Sequence, residues 1–377
     1  MDSQKDAIKF ALAYTGIVVG AGFSTGQEVL QFFTSFGLWS FAGIALTAIC
    51  VIFIGRQTAK LGYRYDVPSH EVPLNKLFGK TAGTLIDYVF TIFMYGIAVV
   101  MIAGSGSAFK ESFNIEPWIG TIILIVLLFF TLLMDFDKIL TVLSVVTPFL
   151  VIAVFIISVI NIMNPGVAID QVNQVADISR TPTGLWWFDS ITYAGIVLGV
   201  TFSFLSIMGA DADKQFVARR GAVYGGIIFV VMLLLLNTGM LAVLDEANEV
   251  ALPTLVMANA IHPVLGTLFS VIIILLIYNT VVGMLYSVAA RFTIPYSKNY
   301  KLLLAAMLII GYLLTFIGFV DLVNFFYPIF GYVGIIIGIA LLVRWIMNKI
   351  PIKNYYKTSQ KKRRRPQSSP LLIYIKV

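Results

Sequence analysis

The stretch Gly16-Ile-Val-Val-Gly20-Ala21-Gly22-Phe23-Ser24-Thr25-Gly26-Gln27-Glu28 places glycines, hydroxyls and a carboxylate inside an apolar segment. Glycine is about 1 kcal/mol worse than alanine in a helix interior, so this density predicts an interruption. In a bilayer, unwound backbone persists only where protein covers it or where it lines a wet cavity. Residues 20–26 are therefore expected to break a membrane helix and to form one wall of a binding site. Two half-helix ends facing a cavity offer amides on one side and carbonyls on the other. That arrangement suits a zwitterion, with the carboxylate at the amides and cations at the carbonyls. Glu28 has two compatible readings. Ser24 with Gln27, and Thr25 with Glu28, have capping-box spacing, so the carboxylate can cap the restarted helix. An ionisable group at membrane depth also marks an ion or proton path.

Further along, Tyr278-Asn279-Thr280 and Ser287 interrupt an apolar span. Buried hydroxyls can simply bond back to the preceding turn, whereas Asn279 needs partners for a donor and an acceptor. It is either interhelical glue or a cation ligand. Phe23, Phe202, Phe204 and Tyr95 are candidates to close a pocket, and each singly also reads as packing. Gly79-Lys80-Thr81 lacks the first glycine of a phosphate loop, since position 74 is leucine, and Gly20-x-Gly22 follows no strand. Gly104-Ser-Gly106-Ser reads as the frayed end of a span. One cysteine, Cys50, and two histidines, His70 and His262 in expected loops, leave no material for a disulfide framework, a zinc site or an acid–base triad. No enzyme and no cofactor are expected.

The elements that must carry these residues are membrane helices. The 377-residue chain is 59% hydrophobic and only 12% charged, with a mean hydropathy of +0.92, against about 25% charged in soluble domains. Stretches long enough to span, about 20 residues, fall at 8–35, 38–60, 82–109, 117–135, 138–163, 188–209, 217–243, 263–290, 301–319 and 321–346. The first is too long for the core of a signal peptide, so no cleaved leader is expected. With the N-terminus inside, all of the 26 lysines and arginines except Lys110 and Arg180 fall on the cytoplasmic side. The expectation is ten spans in the cell membrane with both termini cytoplasmic. Residues 1–346 are expected to form one ten-helix membrane domain, and 347–377 a disordered basic tail. That tail, with Lys361-Lys-Arg-Arg-Arg365, can rest on anionic lipid at about 1 kcal/mol per charge and has no nucleic-acid role.

An offset of 180 residues lays the first span on the sixth and the third, fourth and fifth on the eighth, ninth and tenth. It also lays Pro148 on Pro328, a pair expected to kink the fifth and tenth spans. The basic loop after the second span (Arg56 to Lys80) faces an acidic counterpart after the seventh (Asp245, Glu246, Glu249). Five helices per copy is odd, so the second copy inserts inverted, which yields a 5+5 repeat of about 8–163 and 188–346. The offset projects residues 20–26 onto 200–206. There Thr201, Ser203 and Ser206 among Gly195, Gly199 and Gly209 suggest a second break. Gly195 and Gly199 can equally be a small-residue packing face.

Gly20-Ala-Gly-Phe-Ser-Thr-Gly-Gln-Glu28, with ten spans and a 5+5 repeat, resembles the YkvI-like bacterial membrane proteins of the amino acid–polyamine–organocation superfamily, whose fold is that of the sodium-coupled transporter LeuT. The resemblance covers residues 5–346 and implies an all-α fold with helices 1 and 6 discontinuous. It implies that Gly20-Ala21-Gly22 binds a substrate carboxylate; together with the residues read above, the expected substrate site comprises Gly20, Ala21, Gly22, Phe23, Ser24, Gly26, Tyr95, Thr201, Phe202, Ser203 and Phe204. By the same likeness the Gly16 and Val19 carbonyls, with Asn279 and Thr280, would hold sodium. Phe23 stands where LeuT has an asparagine at a second sodium, so that second site is expected to be absent. The function implied is alternating-access symport of an amino acid or related amine, driven by sodium or, through Glu28, by protons. A ligand-binding sensor subunit like those of germinant receptors is the alternative.

Overall fold

The computed structural model describes residues 2–65, 71–134, 146–294 and 296–349. Pro148 falls in a described helix, whereas His70 and residues 350–377 lie outside the described residues. All regular elements among these residues are helical. The first span is in pieces: α1 (Asp2–Val18), α2 (Ala21–Thr25), α3 (Gln27–Phe32) and a 3-10 turn at Thr34–Phe36. There follow α4 (Trp39–Tyr65), α5 (Glu71–Phe78), α6 (Lys80–Phe113), α7 (Pro117–Leu132) and α8 (Val146–Met163). After a short α9 (Val172–Val175) the second half comprises α10 (Trp186–Asp211), α11 (Gln215–Leu241), α12 (Leu244–Ala247), α13 (Pro253–Ile261), α14 (Pro263–Phe292), α15 (Lys298–Thr315) and α16 (Phe319–Lys349).

Seven of these, α4, α6, α10, α11, α14, α15 and α16, are long and apolar enough to cross a membrane. Residues 117–132 and 151–163 form shorter apolar helices. Large apolar side chains such as Ile49, Leu85, Ile92, Leu127 and Phe155 point outward along them, as a lipid-facing surface requires.

The helices sort into two groups. In one, α1 packs on α11 and α4 packs on α10, with α4 also against α11 and α1 against α10. In the other, α6 packs on α7, α14 and α15. Within the first group the first helix of one half pairs with the second of the other, and the reverse. The group is tied at glycines: Gly62 of α4 abuts the Ser206 backbone, and Gly209 of α10 abuts the Ala59 backbone.

Two expected features are corrected here. The helix at 186–211 is unbroken. Thr201 is absorbed locally, donating to the Val197 carbonyl at 2.7 Å, while the buried Ser206 hydroxyl has no partner among the described residues. The helix's glycines serve close packing on α16, where Gly195 meets the Gly331 backbone and Gly199 meets the Phe330 ring. The Gly104–Ser107 run is likewise not a frayed end, because α6 continues to Phe113. Gly104 receives the Phe319 ring and Gly106 the first turn of α7.

Between α6 and α14, Asp87 is buried and paired with Arg291, whose guanidinium also lies 5.1 Å from the centre of the Tyr88 ring. Replacing Arg291 by leucine leaves the carboxylate without its cation. The expected cost is about 2 kcal/mol, below that of orphaning a fully buried charge because Arg291 is partly exposed. Thermal unfolding in detergent should show that loss for Arg291→Leu and recovery of most of it with Asp87→Asn. Equal midpoints for Arg291→Leu and the wild type would refute the coupling.

Candidate substrate and ion site

The helix of α1 fails at Val19 and Gly20. The Gly20 amide, which would bond to Gly16 in a continuing helix, turns to the Val18 carbonyl at 2.9 Å, and the residue is extended at φ −97°, ψ −161°. Helical bonding resumes with Ser24 N–H to Gly20 O at 3.1 Å. In between, the Gly16 and Val19 carbonyls and the Gly22 and Phe23 amides have no backbone partner among the described residues. The interruption is therefore narrower than residues 20–26, since Ala21–Thr25 forms a short helical turn. A second interruption follows at Gly26, left-handed at φ +78° and crowded by Thr254 and Met240, where only glycine fits without strain.

Neighbours from the second half hold these pieces. The Thr254 hydroxyl of α13 donates to the Ser24 carbonyl at 2.5 Å, taking up an acceptor that the short helix leaves over. The start of α13 is fixed by Glu111 at the end of α6, whose carboxylate accepts from the Ala251 and Leu252 amides at 2.7 and 3.2 Å. The break lies where the two helix groups meet: α1 belongs to the first, while α2 packs on α14, α13 and α6. A methyl group on Gly20 would lie 4.0 Å from the Thr280 hydroxyl oxygen and 3.8 Å from the Ile17 carbonyl. Thr280 thus stands beside the unwound backbone. The side chains of Asn279 and Thr280 are half-buried and make no hydrogen bond among the described residues.

The N-cap of the restarted helix is Gly26, which has no side chain, so the capping-box reading gives way. Thr25 donates to the Gly22 carbonyl at 2.8 Å and accepts the Gln27 amide at 3.4 Å, while Gly26 supplies the turn. Glu28, 8% exposed, turns instead to the Tyr193 hydroxyl of α10, 3.5 Å from Oε1. Its Oε2 lies against Gly22: a methyl there would come within 3.0 Å of it and 2.7 Å of the Tyr327 hydroxyl of α16. No lysine or arginine pairs with Glu28 among the described residues. Carboxylate, two phenols and a bare glycine therefore meet at one point, an arrangement that can hold a proton or a cation.

The remaining expected residues divide. Phe23 and Phe202 are buried in the core, Phe23 with its ring 6.0 Å from that of Phe229. Thr201 is buried and bonded to its own helix, and Ser203 is half-buried on the same unbroken helix. Phe204 is a correction. At 45% exposure it faces away from the interior, because on a continuous helix it stands about 200° round from Phe202. The Tyr95 hydroxyl is committed to the Met307 carbonyl of α15 at 2.7 Å.

Tyr193, Tyr327, Thr254 and Gln31, which the sequence reading did not single out, complete the surroundings, with the side chain of Gln27, expected there only as a cap. All four amide atoms of these two glutamines are buried without a hydrogen-bond partner among the described residues. Each such group costs about 1–3 kcal/mol when left unmet. The available signal was the i, i+4 spacing of Gln27 and Gln31 inside an apolar span.

Comparison with known proteins places this geometry. No family model matches the chain. It is 26% identical over 345 residues to the uncharacterized membrane protein YkvI of Bacillus subtilis (strain 168), covering 91% of this chain and 97% of that one. It is 25% identical over 343 residues to YyaD of the same organism, covering 91% and 98%. Among solved structures, MhsT in complex with L-phenylalanine superposes with a TM-score of 0.59 at 13% identity, over 89% of this chain and 97% of that one. The Eremococcus coleocola manganese transporter gives 0.52 at 14% identity, over 89% and 78%. The chain is a membrane protein of the LeuT-type transporter fold, related over nine-tenths of its length to YkvI and YyaD.

Proposed function

We propose that the protein is a secondary active transporter of a small organic solute, an amino acid or related amine, working by alternating access in the cell membrane. The observation that carries this reading is the break at Val19–Gly20, set where the two helix groups meet. It frees the carbonyls of half-buried Gly16 and buried Val19 and the amides of half-buried Gly22 and buried Phe23, close to Thr280 and Glu28. The amides of Gly22 and Phe23 suit a carboxylate. The Gly16 and Val19 carbonyls with Asn279 and Thr280 suit a sodium ion, and Glu28 suits a proton or an ammonium group. Ten spans in a 5+5 inverted repeat, with both termini cytoplasmic, fit the charge distribution. They also fit the reciprocal pairing of α1 with α11 and α4 with α10. The likeness of fold to a protein crystallised with L-phenylalanine favours an amino acid over a metal. So does the site itself, where among the described residues no three of His, Cys, Asp and Glu cluster.

Uptake of labelled amino acids into proteoliposomes, with a sodium gradient, a pH gradient or neither, tests the proposal. Accumulation against a gradient is expected. If protons drive it, Glu28→Gln should abolish the pH-driven component while leaving equilibrium exchange measurable. Sodium dependence that survives Glu28→Gln would assign coupling to Gly16, Val19, Asn279 and Thr280. Binding without gradient-driven accumulation would instead indicate a sensor subunit.

A further inference from the structure

The two glutamines of α3 carry an inference that rests on the transporter reading. Gln27 and Gln31 are 1% and 0% exposed, one helical turn apart, and all four amide atoms are unpartnered among the described residues. Glu28 lies about 100° round the same helix from Gln27, and Gln31 falls between them in angle. Carboxylate and amides thus form one polar stripe, and the buried apolar residues Val29 and Leu30 take the other side. Of the neighbouring polar groups, the buried hydroxyls of Ser35 and Thr192 also lack a partner among the described residues, whereas others are bonded. Thr34 donates to Asn237 at 2.9 Å, Asn237 donates to Ser40 at 2.9 Å, and Thr25 and Thr254 are bonded as described. The unmet capacity is concentrated on this stripe, with four atoms on one helical turn against a single atom in each other such residue among those described. It begins at the glycine break, because Glu28 touches the space beside Gly22.

A primary amide presents both donors and acceptors, and an aliphatic or aromatic group can satisfy neither. We infer that Gln27 and Gln31 form a side-chain subsite of the transported solute. It selects amino acids or amines that end in an uncharged hydrogen-bonding group, an amide or a hydroxyl. The main-chain groups of such a solute would occupy the break, and its polar end would reach the amide pair.

The test uses purified full-length protein in detergent, titrated with L-glutamine, L-serine, L-leucine and L-phenylalanine, alongside Gln27→Met and Gln31→Met. Methionine keeps the unbranched shape and removes the amide. The wild type should bind the polar pair more tightly than the apolar pair. Each variant should weaken L-glutamine by about tenfold, the worth of a buried hydrogen bond or two. L-leucine affinity should hold or rise, with the unliganded midpoint of unfolding at or above that of the wild type. Gln31→Asn, which withdraws the amide by one methylene, provides a second variant if a methionine form does not fold. Unchanged selectivity in folded variants would make the glutamines structural and overturn the inference. Equal or tighter binding of the apolar pair by the wild type would overturn it while leaving the transporter reading intact. Failure of the wild type to bind any of the four would remove that reading and the inference together.

Discussion

Gly22→Ala is expected to reduce solute uptake by on the order of 100-fold, whereas Gly20→Ala should stay within about threefold of the wild type. The two glycines belong to the same short motif and neither has a positive φ, so backbone strain does not separate them. Space does. A methyl on Gly20 meets nothing closer than 3.8 Å, an ordinary contact. A methyl on Gly22 meets the Tyr327 hydroxyl at 2.7 Å and Glu28 Oε2 at 3.0 Å. Tyr327 is a rigid ring on α16, 3% exposed, and Glu28 is enclosed between Gly22 and Tyr193. The methyl must therefore drive apart the groups that converge on the break. Overpacking of this kind costs about 1–3 kcal/mol, and it falls on the state in which solute and carboxylate share the site. Tyr327→Phe removes the atom that the methyl strikes first. Gly22→Ala/Tyr327→Phe should then transport better than Gly22→Ala alone, a coupling that a double-mutant cycle reads directly. Parallel losses for Gly20→Ala and Gly22→Ala would show that glycine at both positions serves the backbone and not the space.

Which parts of this were legible in the sequence follows from how local the cause is. The break at Val19–Gly20 is written in the glycines themselves, since helix failure is a property of the segment. The long apolar helices are equally local, with ends displaced by a few residues where polar side chains such as Arg64 continue the helix of α4. The unbroken α10 was not legible. Gly195 and Gly199 look alike whether they unwind a helix or admit a neighbour, and only α16, more than a hundred residues away, decides between the two. Once α10 is known to be continuous, helical phase alone separates Phe202 from Phe204. The meeting of Glu28 with Tyr193 and Tyr327, and of Asp87 with Arg291, joins residues 165 and 204 positions apart in the first and last of these pairs. No periodicity within a span carries such information. Gln27 and Gln31 show the limit from the other direction: their types were visible, but that they are buried and unmatched is a fact of tertiary packing.

Gly209→Ala and Gly62→Ala should each destabilise the protein by about 3 kcal/mol, whereas Gly283→Ala should stabilise it by about 0.5–1 kcal/mol. All three exchanges put the same methyl into the interior of a helix, where alanine is intrinsically the better residue. The difference lies in what the methyl meets. At Gly283 it meets nothing within 4 Å, so only the backbone preference acts. At Gly209 it meets the Ala59 carbonyl, and at Gly62 the main chain of Ser206. Neither obstacle is a side chain that can rotate away, so relief requires α4 and α10 to separate along their crossing. In lipid that separation is costly. Small residues at such crossings let backbones approach, and association rests on the dispersion contacts that approach allows. Of the two helices α10 carries Tyr193 to Glu28, and both form the core of the first helix group, so the loss should spread beyond the crossing. Gly209→Ala is then expected to lower the unfolding midpoint in detergent and also to weaken solute binding. A Gly209→Ala protein as stable as the wild type would mean that the two helices are not held at this crossing, and the arrangement of the first group would need revision.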